Sequence, residues 1–250
     1  MGSEKSERMA RIICLHSITE GTGRTTLAAN VAALMAQRGQ RVALLCARAD
    51  DPTLERLFSL RAATPTLHDY IQGRVPIDAV VEHVNKQLAL KRGKLYVAKL
   101  GVPSETPPSL NALSGALDTL SETLRLDTIL IENPHGLARS ALMLIALSEL
   151  LAVIMLLDQE HYQGTSVLLE LAERLNVPIV RLIVNRVPPE FSRAEIKQRV
   201  EETYRCPVAV VIPESPDLNG RTDLIALHSA AHAFSAACSV AAAVFSEAVL

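Results

Sequence analysis

The sequence predicts an α/β fold: a doubly wound, mostly parallel β-sheet with helices on both faces. Short aliphatic runs alternate with helical stripes along the chain, most of the runs are apolar on both faces, and the first run leads through a glycine-bearing loop straight into an Ala/Leu-rich helix. Composition agrees. Of 250 residues, 49% are hydrophobic, 3% aromatic and 21% charged, so the core is almost entirely aliphatic and a disordered chain is excluded.

The first strand is expected over 11–18 (RIICLHSI) and the first helix over 25–38, where Gly39 is well placed to end it. A second strand follows at 42–46. The least regular region, 48–94, is expected to hold short helical pieces at 53–58, 66–72 and 77–85, with a strand at 95–100 beyond it. From Ser109 the alternation steadies. Helices are expected at 109–124, 139–147, 166–175 and 193–204, with strands at 128–131, 152–157, 179–184 and 208–212 and a final helix from about 222. The run ALMLIALSELLAVIMLL (141–157) is broken by Ser148-Glu149 and is at the lower length limit for a membrane span. With Val153 and Ile154 in its second half and Asp158 behind it, the run reads as a buried helix leading into a central parallel strand.

One domain over 10–250 is expected behind a disordered polar lead-in at 1–9. The opening MGSEKSER has no apolar core and does not read as a secretory leader; Met1-Gly2 with Ser6 matches the N-myristoylation pattern, which is short enough to arise by chance. Cys14, Cys46, Cys206 and Cys238 are dispersed with no CxxC pair, neither a disulfide framework nor a zinc set, so a cytoplasmic location is expected. A net charge of −2, from 25 Lys and Arg against 27 Asp and Glu, gives no global field for nucleic acid or an anionic membrane.

Chemistry concentrates after the first strand, in Thr19-Glu20-Gly21-Thr22-Gly23-Arg24-Thr25-Thr26. A strand, a Gly-containing loop and a helix N-terminus converge backbone N–H groups and the helix dipole on an anion. The spacing approaches the phosphate-loop pattern GxxxxGK followed by Ser or Thr, with Ser17 or Ile18 at the first Gly and Arg24 at the Lys. On these residues alone, a phosphate cradle and a plain βα turn that needs glycine fit equally well.

The stretch TEGTGRTTLAANVAALMAQRGQRVALL resembles the opening of the MinD/ParA family of deviant-Walker P-loop ATPases, whose pattern is KGGxGKTT. LIENPHGL resembles the family's strand ending in a DxPPG switch. LLDQEHYQGTSVLLELAERLNVPIVRLIVNRV resembles its strand, helix and strand ending in an adenine-reading Asn, here Asn185, and CPVAVVIPESPDL its Pro loop over the base, here Pro213. The resemblance covers roughly 10–245. It implies a nucleotide site formed by Gly21, Thr22, Gly23, Arg24, Thr25, Thr26, Asn185 and Pro213, with ATP or ADP and Mg²⁺ as cofactors and Thr25 as the Mg²⁺ ligand; a fully degenerate site would hold no cofactor.

Four positions depart from the family pattern. Thr19 stands at the signature Lys that reaches the partner's nucleotide, and Arg24 replaces the Walker Lys with a wide planar fork. Cys46 and Arg48 align with the DxD after the second strand, with Asp50 and Asp51 able to substitute only in a shifted loop; Glu132 replaces the Asp of the second switch with a carboxylate one methylene longer. Phosphoryl transfer depends on placed charge, and losing one cationic stabiliser costs about 10³ to 10⁵ in rate. The resemblance with these changes implies a degenerate member. It would be a pseudo-ATPase with little or no hydrolysis, a homodimer through the nucleotide face, and a scaffold or regulator that positions or assembles a cellular structure with a protein partner. The alternatives are a slow but active ATPase of the same type, or a P-loop ligase resembling dethiobiotin synthetase.

Other candidates carry less. His16, His68, His83 and His161 are isolated in sequence and receive no role; His135 reads as a loop residue; His228 and His232 are spaced i, i+4 but have no third ligand. Leu224, Leu227, Ala231, Phe234, Cys238, Ala241 and Phe245 form an apolar seam on the final helix that suits packing on its own domain. No Lys or Arg follows Arg221, so a basic membrane anchor is not expected there.

Overall fold

The computed structural model describes residues 9–46, 52–61, 64–102, 107–218, 220–221 and 223–247. Arg48, Asp50, Asp51 and all of the expected lead-in except Met9 lie outside the described residues. In chain order the elements are β1 Arg11–His16, α1 Arg24–Gln37, β2 Arg41–Cys46, α2 Pro52–Phe58, α3 Leu67–Ile71, a 3-10 turn Ile77–Val80, β3 Val81–His83, β4 Lys94–Lys99, α4 Leu110–Leu124, β5 Thr128–Glu132, α5 Arg139–Ala146, β6 Leu150–Met155, α6 Gln159–Arg174, β7 Ile179–Val187, α7 Arg193–Tyr204, β8 Val208–Pro213, a 3-10 turn Pro216–Leu218, α8 Ile225–His228 and α9 Ala233–Glu247.

Among the described residues, eight strands form one sheet in the order β3-β4-β2-β5-β1-β6-β7-β8, parallel throughout except for β3. Side chains alternate across the pleat, so successive residues of one strand feed opposite layers. Leu130 of β5 joins Ile13, Leu15 and Leu44 under α1, whereas Ile129 and Ile131 join Ala43 and Leu45 under α4. Both faces of the sheet are therefore covered. α1 is buried from Leu27 to Ala36 because the sheet lies on one side and α8 and α9 on the other. Asn30 fixes that arrangement, donating to the Thr26 carbonyl at 2.8 Å and accepting the Ala226 N–H at 3.0 Å.

The 141–157 run resolves into α5 and the fully buried β6, and among the described residues no helix is long and apolar enough to cross a membrane. Three elements differ from expectation. Where a helix was expected over 77–85, a 3-10 turn passes into β3, which pairs antiparallel with β4 through Val81 opposite Ala98 and His83 opposite Tyr96; pairing at a sheet edge overrides weak local helicity. α6 begins at Gln159 rather than 166, capped by the Asp158 carboxylate, which accepts the His161 N–H at 2.9 Å. The final helix is broken at 229–232, where His232 Nδ1 accepts the Phe234 N–H at 3.2 Å and so caps α9. Leu224, Phe234, Cys238, Ala241 and Phe245 are buried as the seam required, Leu227 is half-buried, and Ala231 is exposed in the break.

Candidate functional site

Strand order turns at β1: β5 and β2 lie on one side, β6, β7 and β8 on the other. Ligands in open α/β sheets bind beyond the carboxyl ends of the strands at such a point. The loop after β1 opens there. Gly21 and Gly23 adopt φ of 71° and 85°, left-handed conformations that curl the chain into α1. Gly23 is the N-cap residue and has no side chain with which to cap; no acidic residue stands in the first turn. The first N–H groups of α1 and the positive end of its dipole thus face the loop cavity, an arrangement suited to an anion.

Residues 20–26 line a cleft of about 320 Å³ together with Thr53, Glu132 and Arg186. A second cleft of about 120 Å³ adjoins it through Gly23 and Thr26, bounded by Asn185, Arg186, Pro213, Glu214, Ser215 and Phe234. Gly21, Thr22, Gly23, Arg24, Thr25 and Thr26 are brought together with Asn185 and Pro213 across the two clefts.

Beneath the loop, Ser17 is a hub. Its hydroxyl donates to the Thr19 carbonyl at 2.7 Å and accepts from Thr22 Oγ1 at 3.1 Å and Arg24 Nη1 at 2.8 Å, which uses its one donor and two lone pairs. Arg24 is buried, 7% exposed. Burial, and then the Arg24 charge, push the neighbouring His16 imidazole down to about 3. The switch-like turn closes over this layer: Asn133 Nδ2 lies 3.2 Å from His16 Nδ1, Gly136 N–H donates to the Ser17 carbonyl at 3.1 Å, and His135 Nδ1 stands 3.5 Å from Glu20 Oε1.

Parallel register places Glu132 at the end of β5 opposite both Leu15 and Cys46. The Glu132 carboxylate accepts from the Thr25 hydroxyl and, at 3.3 Å, from the Cys46 thiol. The longer Glu side chain thus reaches Thr25 directly. A hydroxyl and a carboxylate side by side at a phosphate loop match what Mg²⁺ takes from a protein when substrate phosphates and waters complete its octahedron. Asn185 is committed locally, its Nδ2 donating to the Thr22 carbonyl at 2.7 Å and its Oδ1 accepting the Arg186 N–H at 2.9 Å.

His161 is the residue that sequence reasoning missed. It is not isolated: Nε2 lies 2.8 Å from Thr19 Oγ1, and Nδ1 lies 2.8 Å from both carboxylate oxygens of Asp158. Burial works to raise the Asp158 carboxyl, but the hydrogen bonds and charge of His161 outweigh it and hold that carboxyl below its usual range. The spacing Asp-x-x-His at a helix start was the available signal.

Residues 13–222 match the family model described as the CobQ/CobB/MinD/ParA nucleotide binding domain. The chain is 30% identical over 209 residues to an uncharacterized ATP-binding protein of Methanocaldococcus jannaschii, covering 83% of this chain and 76% of that one. Its fold is similar to the MinC:MinD cell division protein complex of Aquifex aeolicus, with a TM-score of 0.76 at 20% identity over 96% of this chain and 98% of that one. It is also similar to the septum site-determining protein MinD of Pyrococcus horikoshii complexed with Mg-ADP, with a TM-score of 0.76 at 19% identity over 96% and 97%.

Proposed function

The chain belongs to the MinD/ParA family of nucleotide-binding domains, and from that premise we propose that it is a pseudo-ATPase: it binds adenine nucleotide with Mg²⁺ and hydrolyses it slowly or not at all. The observation that carries this reading is the fate of the two expected lysine positions. At one, Arg24 sends a guanidinium nitrogen down to Ser17; at the other, Thr19 is uncharged and is hydrogen-bonded to His161. Neither position offers a compact ammonium to the β- and γ-phosphates. Anion binding relies on features that survive those changes: the left-handed glycines, the uncapped start of α1, and Arg186 at the rim.

Thr25 and Glu132 would hold Mg²⁺, which supplies charge neutralisation between the phosphates. Asn185 and Pro213 border the smaller cleft and would receive the adenine base. We read residues 10–250 as one domain acting as a homodimer through this face, a cytoplasmic scaffold in positioning or assembling a cellular structure with a protein partner. The MinC:MinD complex gives a precedent for a partner among its structural neighbours. With Thr19 in place of a trans-acting cation, dimerisation should depend little on ATP.

Calorimetric titration with ATP and ADP, with and without Mg²⁺, is expected to give saturable binding, and a phosphate-release assay little turnover. Absence of binding at millimolar nucleotide would reduce the site to a retained fold, and turnover typical of active relatives would overturn the pseudo-ATPase. Light scattering should find the dimer with or without nucleotide; a monomer that dimerises only with ATP defeats the constitutive form. The Thr25–Glu132 contact, a hydroxyl and a carboxylate placed for Mg²⁺, favours a slow ATPase as the second reading, and the same phosphate-release assay separates the two.

A further inference from the structure

Three groups stand in line where the first residues of the phosphate loop meet the start of α6: Thr19, His161 and Asp158. Asp158 caps α6 and accepts the His161 N–H at 2.9 Å, which fixes its carboxylate against the imidazole. A carboxylate is ionised near neutral pH, so this one can only accept a hydrogen bond. His161 Nδ1, 2.8 Å from both Asp158 oxygens, must therefore carry the proton. In the neutral ring Nε2 is then a bare lone pair. Thr19 Oγ1, 2.8 Å from Nε2, is accordingly the donor, its proton aimed at a base whose tautomer a carboxylate has set. A hydroxyl, an imidazole and a carboxylate connected in this sense form the arrangement that activates hydroxyl nucleophiles on unrelated folds.

The relay is built into the loop. Gly164, inside α6, lies against Ile18: a Cβ there would fall 2.6 Å from Ile18 Cγ2. A glycine in a helix interior costs roughly 0.5–1 kcal/mol relative to Ala, and here it lets α6 approach closely enough for His161 to reach Thr19. The imidazole is shielded, with a side chain 5% exposed, while Thr19 itself is partly exposed. Thr19 directly precedes Glu20, the first residue lining the phosphate cleft, and its carbonyl is bound by the same Ser17 hydroxyl that accepts from Arg24.

We propose that Thr19 is a phosphoryl-acceptor site, modified by the γ-phosphoryl group of a nucleoside triphosphate held at the loop. This rests on the nucleotide-binding reading above. A lone pair of Thr19 Oγ1 forms the new O–P bond, the bond from γ-phosphorus to the β-γ bridging oxygen breaks with its electron pair leaving on the nucleoside diphosphate, and the hydroxyl proton passes to His161 Nε2. The imidazolium so formed is flanked by the Asp158 carboxylate and faces the new phosphate. The event occurs once per chain, so it is compatible with a site that turns over poorly as an ATPase. It would convert an uncharged hydroxyl, one residue before the cleft lining begins at Glu20, into a group of about −1.5 to −2 charge.

The test incubates the full chain with Mg²⁺ and ATP, then maps any added phosphoryl group by peptide mass spectrometry, with nucleotide binding followed in parallel by fluorescent-nucleotide titration. One acid-stable phosphoryl group on Thr19 is expected, absent in Thr19→Val and retained in Thr19→Ser. Asp158→Asn or His161→Gln is expected to slow its appearance by about 10²-fold, the scale of general-base assistance. Nucleotide binding without phosphoryl transfer overturns this proposal alone, and failure to bind nucleotide overturns it together with the reading beneath it. A label on another residue, or one whose rate ignores Asp158 and His161, also overturns it. The wild-type measurement needs no variant to fold.

Discussion

A Cβ at Gly23 would lie 2.6 Å from the Asn185 amide nitrogen, so the loop can close on that amide only because residue 23 is glycine. Gly23→Ala should cost about 1–2 kcal/mol for the left-handed conformation and also displace Asn185 from the Thr22 carbonyl. Gly21→Ala shares the first penalty but meets nothing within 4 Å. Nucleotide affinity should therefore fall further in Gly23→Ala than in Gly21→Ala; equal losses in parallel titrations would show that the Asn185 contact is irrelevant.

Glu132 accepts from both Thr25 and Cys46 at the base of the cleft. Glu132→Ala removes the acceptor for a buried thiol and a partly buried hydroxyl, with an expected loss of about 1–3 kcal/mol in denaturant unfolding. Glu132→Gln keeps an acceptor but loses the charge, so it should fold well while the ratio of nucleotide affinities with and without Mg²⁺ collapses towards unity. A ratio unchanged from wild type would remove Glu132 from the metal site.

His16 is fully buried, and its imidazole is pushed down to about 3, first by burial and then by the Arg24 charge. The unfolded chain takes up that proton near pH ~6.5, the folded chain only near 3. Between those values the unfolded state binds more protons, so stability is fully present above the window and declines as pH falls through it, by up to about 1.4 kcal/mol per pH unit from this group. Urea midpoints measured across the window should slope less in His16→Asn than in wild type. Identical slopes would mean that His16 is not the titrating group.

Phe245 is fully buried at the end of α9, and its carbonyl accepts Arg11 Nη1 at 2.6 Å, whereas Val240 on the same helix is 48% exposed. Phe245→Ala should destabilise by about 3–5 kcal/mol and Val240→Ser by less than about 0.5 kcal/mol. Thermal unfolding decides this; a mild Phe245→Ala would mean that α9 can leave the domain without loss.

Local pattern carried the regular elements well, and α7 spans the 193–204 that was expected, with Ser192 capping it. It failed where pairing or contact outranked propensity. The weakly helical 77–85 segment became an edge strand because β4 offered it a partner. α6 starts seven residues earlier than expected, and Gly164 within its first turns is explained by close packing on Ile18, a neighbour far away in sequence. Thr19, Arg24, Cys46 and Glu132 were recognisable as departures from a pattern, since substitution at an aligned position is a property of sequence. What those residues do instead was not legible. The Thr19–His161 hydrogen bond joins positions 142 apart, and no spacing rule connects them.

The sheet ends at one margin on β3, three residues long and antiparallel, and at the other on β8, whose pairing with β7 shifts register twice. Both margins are poor templates for a foreign strand, because a short or kinked border presents few consecutive unpaired backbone groups. The long parallel array between them is therefore guarded against growing into fibres, and two copies of the chain have little backbone with which to recognise one another. Self-recognition is left to side chains, where a single substitution can redirect it.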